Sequence, residues 1–246
     1  MNEFLFAFLS TSGLGVLTFG FLLGLKHATE SDHLAAVTTI VTERKSLWSS
    51  AIIGGIWGLG HTISLFAAGI LVLVLNFQIS EQTERMLEFC VGVMLVVLGL
   101  NVLRKLLFGA TLHLHTHGHG NHVHAHPHLH EDNAVDAPNS HHGFAFSPRA
   151  LIVGMVHGLA GSAALMLLVI PTIESRPLGL LYILIFGAGS IGGMMLMSFL
   201  VGLPFSLTAR KFDRLNLAMQ SIAGLISVGI GLLIVYEKGI TEGLLG

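Results

Sequence analysis

Residues 13–41 read GLGVLTFGFLLGLKHATESDHLAAVTTIV. Apolar and small residues lie on both sides of Lys26-His27-Ala28-Thr29-Glu30-Ser31-Asp32-His33, which sets five ionisable groups inside a hydrophobic run. A crossing of ~30 Å of hydrocarbon needs ~20 residues of helix, so the stretch is long enough to span a membrane. Each Asp or Lys at a helix centre costs ~2.5–3.5 kcal/mol to insert. Lys26, Glu30 and Asp32, charged and unpaired, would together cost on the order of 8–10 kcal/mol. Pairing, water or a bound cation must offset that cost. Lys26 and Glu30, four apart on one helix face, can neutralise each other; Asp32 and both histidines are then left over. A loop between two half-spans at the interface is the other account, because 29 residues of helix would measure ~43 Å at ~1.5 Å per residue.

The rest of the chain agrees on the solvent. Of 246 residues 52% are apolar and 11% charged, with a mean hydropathy of +0.77. A water-soluble domain could not keep so much apolar surface away from water, so lipid is the solvent for much of it. Twelve Lys plus Arg against fourteen Asp plus Glu exclude the basic surface of a nucleic-acid binder. Cys90 is the single cysteine, so an intramolecular disulfide is excluded and compartment is not legible from redox. Thirty glycines fit the close backbone approach of membrane helices. The N-terminal apolar stretch runs on directly into the next one, and no separate cleavable signal peptide is expected.

Runs of spanning length fall at 13–41, 47–76, 84–108, 149–171, 178–203 and 214–236. The fold expected is an all-α membrane protein of about six transmembrane helices. Residues 3–9 are apolar but too short to span alone; they lie at the interface or, joined to 14–20, form a short seventh crossing. Arg44, Lys45, Arg104, Lys105, Arg149, Arg210, Lys211 and Arg214 fall on one side, against Arg85, Arg176 and Lys238 on the other. The positive-inside rule makes the first side cytoplasmic. The chain is therefore expected to be multi-pass in the cell (inner) membrane.

The two halves repeat. Gly24-Leu25-Lys26-His27 aligns with Gly154-Met155-Val156-His157, and Trp57-Gly58-Leu59-Gly60-His61 with Phe186-Gly187-Ala188-Gly189-Ser190. Gly92 and Gly99 then match Gly224 and Gly231. Three matches in the same order imply a duplication of three helices, and an odd number of crossings inverts the second copy. The chain divides into a first three-helix repeat with the ionisable motif (1–108), a His-rich cytoplasmic loop (109–148) and a second three-helix repeat (149–246). Inverted repeats are a transporter architecture, with the site near mid-membrane between the repeats.

Imidazole nitrogens with carboxylate oxygens and no nearby thiol suit nickel, cobalt, zinc or iron in the divalent state. His27 and His33 are six apart, which turns them ~240° from each other on an ideal helix. Both can face one ion only if the helix is unwound between them, and Gly24 and Ser31 are the residues that would permit it. The spacing thus predicts a discontinuous first helix, another transporter device. Further candidate ligands are Glu30, His61 in the second span, and His157, the repeat mate of His27. Ser162 and Ala163 stand where Asp32 and His33 would recur, so one site built mainly from the first half is expected; Ser190, opposite His61, is a weaker candidate. The loop holds eleven of the fifteen histidines in alternating tracts without apolar periodicity. It reads as a disordered or weakly ordered metal-binding segment that buffers or senses metal.

The motif His27-Ala28-x-x-x-Asp32-His33 resembles the His-x4-Asp-His signature of the nickel/cobalt transporter superfamily, and Gly60-His61-Thr62 its second motif. The glycine-rich segments 154–162 and 186–190 look like the UreH branch, urease accessory or nickel-transport-like membrane proteins. The chain departs from the superfamily in carrying Glu30 where the middle acid is commonly Asp, and in lacking the second-half acidic motifs. The resemblance implies that His27, Asp32 and His33, and with them His61, recognise nickel or cobalt. It implies secondary transport of Ni2+ or Co2+, or delivery of nickel to a urease- or hydrogenase-type maturation system through the cytoplasmic His loop, with cytoplasmic nickel chaperones as partners. No permanently bound cofactor is expected, and neither a Walker A pattern nor His-Glu-x-x-His is present to indicate an enzyme.

Overall fold

The computed structural model describes residues 13–42, 46–108, 111–119, 122–130, 147–169, 175–208 and 212–244, with side chains at 111–119, 122–130 and 161–169 left aside. The apolar segment 3–9, the basic residues Arg44, Lys45, Arg210 and Lys211, and the side chains of Ser162 and Ala163 lie outside the described residues.

The opening apolar stretch forms two helices, α1 (Gly13–His27) and α2 (Ser31–Val41). α3 (Leu47–Leu73) and α4 (Glu81–Phe108) complete the first half; α5 (Pro148–Val169), α6 (Arg176–Thr208) and α7 (Asp213–Tyr236) form the second, and a π-helical turn, Glu237–Thr241, follows α7. Helices are what lipid permits, because each satisfies its own backbone polar groups. Four of them, α3, α4, α6 and α7 with its π turn, are long and apolar enough to cross a membrane, and the chain is a membrane protein. α4 and α7 turn Val97, Leu100, Ile222, Leu225 and Leu233 outward, as lipid-facing surfaces require. Cys90 is exposed on α4.

The loop differs from expectation. Thr111–His119 (β1) and His122–His130 (β2) pair as an antiparallel ribbon with His115 opposite His126. Its His-x-His alternation has period two, which is the period of a strand. The positions that alternate with the histidines, among them Leu112, Leu114, Val123, Ala125 and Leu129, pair with one another in the same register.

α3 packs along α6 and α5, α1 along α6, α4 along α7, and α2 against α7. Small residues set these distances. A Cβ placed on Gly24 would strike the Phe186 carbonyl oxygen, and one on Gly154 would strike that of Trp57. A Cβ on Gly60 meets the Leu151 carbonyl, and one on Gly189 that of Phe21. Between α4 and α7, a Cβ on Gly99 would lie 2.6 Å from the Gly224 oxygen, and one on Gly231 2.6 Å from the Gly92 oxygen. Gly24 was expected to loosen the first helix. It lies inside α1 and serves this close packing instead.

At the α4 end, Lys238 in the π turn reaches Glu88 at 2.9 Å and Glu242 at 2.7 Å. Arg85 meets Glu81 at 3.2 Å and Glu242 at 3.4 Å. These pairs clasp the start of α4 to the end of the second half.

Candidate metal centre

The site begins where α1 stops. Thr29 N and Glu30 N donate to the carbonyls of Lys26 and His27, at 2.8 and 3.1 Å, which tightens the chain into a turn. Thr29 Oγ1 donates to the same Lys26 carbonyl at 2.6 Å. Glu30 is extended (φ −65°, ψ 151°), and Leu34 N donating to Glu30 O opens α2. In the first turn of α2 Asp32 Oδ1 accepts from the backbone N–H of His33 at 2.8 Å, satisfying one of the orphan donors of a helix N-terminus and placing negative charge at its positive end. The break at Ala28–Glu30 is the discontinuity that the six-residue spacing predicts. α5, which carries His157, runs unbroken past it.

Across the break the rings of His27 and His33 come to 4.3 Å between centroids. α3 brings His61 to 5.1 Å from His27 and 5.4 Å from His33. α5 brings His157 to 4.0 Å from His33. All four are buried, between 0 and 4% exposed. These are the four histidines that the sequence has outside its loop, and every one of them is in this cluster.

The carboxylates divide. Asp32 Oδ2 lies 2.9 Å from His157 Nε2, and Asp32 Oδ1 lies 3.1 Å from His33 Nδ1. Glu30, half exposed, sits 2.9 Å from His27 Nδ1 but off hydrogen-bond direction, so both ring nitrogens of His27 are without a hydrogen-bond partner. No ion pair joins it to Lys26, which is exposed; the same-face neutralisation considered from sequence is not what the fold uses. Buried polar atoms are nearly always hydrogen-bonded. Here His27 Nε2, His33 Nε2, His61 Nδ1 and His157 Nδ1 are not. Two groups of donors come within 4.8 Å of one another: His27, His33 and His61, and Asp32, His33 and His157. Imidazole nitrogens, several of them unpartnered, converge with a carboxylate oxygen as a donor set for a borderline divalent cation.

Two aromatic residues in the wall were not singled out from sequence as site residues. Trp57, fully buried on α3, stands 5.4 Å from the ring of His33 and 5.7 Å from that of His157. Phe186 on α6 stands 5.5 Å from His27. The available signal was helical spacing, since Trp57 lies one turn before His61 and so on its face, with Phe186 its repeat mate. Ser190 is buried with its hydroxyl unpartnered and belongs to neither donor group.

No profile of a known protein family matches the chain, and no solved structure matches it. It is similar to the urease accessory protein UreH of Bacillus sp. (strain TB-90), with 42% identity over 231 residues that cover 94% of this chain and 95% of that protein. Two chloroplast proteins of Arabidopsis thaliana, FOR GROWTH AND FERTILITY 1 and 2, are 26% and 25% identical over 221 residues, which are 89% of this chain but 58% and 55% of theirs. With its first-half motif intact and near-complete coverage of that relative, the chain belongs to the UreH family.

Proposed function

We propose that this chain is a secondary transporter that moves a divalent transition-metal cation, Ni2+ or Co2+, across the cell membrane, with His27, Asp32, His33, His61 and His157 as its ligands and Glu30 as a charge at the approach. The convergence of all four non-loop histidines, from three different spans, on unpartnered nitrogens carries this proposal. α1 also ends at the cluster, and a helix C-terminus carries partial negative charge that favours a cation.

The transport architecture is six spans in two inverted repeats. Reciprocal contacts support it: Gly24 against Phe186 corresponds to Gly154 against Trp57, and Gly60 against Leu151 to Gly189 against Phe21. Gly92 against Gly231 and Gly99 against Gly224 exchange into each other when the halves are swapped, as contacts around a two-fold axis do. On this arrangement the first repeat rocks against the second around the cluster, and the His-rich loop faces the cytoplasm.

Radiolabelled nickel and cobalt flux into proteoliposomes tests the proposal, with His27→Ala and Asp32→Asn beside the unaltered chain. Both variants are expected to lose flux. Unchanged flux in both would sink the assignment.

The name of the 42% identical relative favours a second reading, in which the chain delivers nickel to a urease-type maturation system and its partners are cytoplasmic nickel chaperones. Deleting 109–148 separates the two. Transport survives the deletion, whereas delivery through the loop does not.

A further inference from the structure

We infer that the cluster holds two alternative cation positions that share His33, one bounded by His27, His33 and His61 and the other by Asp32, His33 and His157. The inference rests on the transport proposal above for its purpose, and on geometry for its content. Donors to a single ion at ~2.1 Å must lie within ~4.2 Å of one another. Each triad has donor atoms within 4.8 Å, a separation that small ring rotations close. The five donors fall into two such groups and not into one. His33, between them, belongs to both triads.

The two positions differ in chemistry and in the parts of the fold that build them. The first is three imidazoles, all from the first half, with Glu30 standing 2.9 Å from His27 on the exposed side. The second carries the Asp32 charge and joins α2 to α5, so it lies between the halves. Two divalent cations separated by one imidazole in a dry interior repel strongly, which makes the positions mutually exclusive. A cation therefore passes from one triad to the other by exchanging ligands around His33, and the exchange takes it from one repeat to the interface between both.

The test uses NiCl2 titrated into the detergent-purified full chain, with calorimetry for stoichiometry and affinity and nickel K-edge absorption for the ligand shell. One equivalent is expected to bind. His157→Ala confines the ion to an imidazole-only shell, His61→Ala confines it to a shell containing a carboxylate, and each raises Kd about tenfold, whereas His33→Ala raises it by roughly a hundredfold or more. If either alanine variant does not purify as a folded protein, His27→Gln dismantles the first triad and Asp32→Ala the second. Two equivalents bound, or one identical shell in both single variants, or loss of binding in each as complete as in His33→Ala, overturns the inference. Proteoliposome flux keeps the two proposals apart. Two distinct shells without flux in the unaltered chain uphold the positions and sink transport; flux with a single shell throughout upholds transport and sinks the exchange.

Discussion

Asp32 on α2 and His157 on α5 meet at 2.9 Å, Oδ2 to Nε2, across 125 residues of chain. The first half supplies the carboxylate of this contact and the second half the imidazole. The other oxygen of the same carboxylate faces His33 Nδ1 and accepts from the backbone N–H of His33. One side chain thereby ties the helix break, the cluster and the two halves together.

That link is measurable as a coupling. Asp32→Asn and His157→Ala, made singly and together, should be non-additive in nickel affinity by ~0.5–3 kcal/mol, the range for residues in one network. Additive losses within error would mean that the contact carries no energy relevant to the site.

Trp57 should report occupancy. The chain has two tryptophans, and Trp48 is exposed, so Trp48→Phe leaves Trp57 as the sole reporter, 5.4 Å from the His33 ring. Titration with NiCl2 should quench its emission saturably, and the same titration in a Trp48→Phe, His33→Ala chain should not. Equal quenching in both would place the ion elsewhere.

Glycine substitutions should separate by environment. Gly24→Ala and Gly154→Ala put a methyl into a facing backbone carbonyl and should cost ~1–3 kcal/mol or more as overpacking. Gly229→Ala, inside α7 with nothing within 4 Å of the added atom, should be neutral or stabilising by up to ~1 kcal/mol through helix propensity. Thermal unfolding in detergent checks the ranking. A Gly154→Ala chain as stable as Gly229→Ala would contradict the packing described for α3 and α5.

Lys238 is the cation that the clasp places between Glu88 of α4 and Glu242. Lys238→Met leaves Glu88 and Glu242 without their shared partner and should lower the midpoint of unfolding. Glu237→Gln, which removes only the 3.9 Å contact of a largely exposed side chain, should leave it within error. The half-buried clasp falls between the ~0–1 kcal/mol of exposed pairs and the ~3–5 kcal/mol of broken buried ones. Equal midpoints for both variants would deny the clasp a structural role.

Much of this site was legible in the chain because lipid makes charge expensive. Five ionisable groups in an apolar run demand an explanation, and a ~240° separation of His27 and His33 demands a broken helix. The location of the break was not legible. Glycine permits both unwinding and close packing, and only the neighbour on α6 decides that Gly24 packs. Lys26 and Glu30 have ideal spacing for a pair, yet the turn at Thr29 ends the helix before that geometry is reached and points Glu30 at His27. The Asp32–His157 contact could not be read from the repeat, because aligning the halves asks what replaces Asp32 in the second copy. It does not ask whether the first copy's own carboxylate reaches across. Trp57 was visible as a matched position, but an aromatic residue in an apolar helix carries no mark of what it faces.

The glycine contacts have one more consequence. Around the histidines, α1, α3, α5 and α6 already rest against facing backbone carbonyls at Gly24, Gly60, Gly154 and Gly189, so the helices have no room to move closer at those crossings. The frame cannot shrink around a smaller ion by sliding its helices together. Adjustment is confined to ring rotation and to the three residues of the turn at Ala28–Glu30. The walls of the cluster are then stiff, and its local compliance is concentrated in a single short joint.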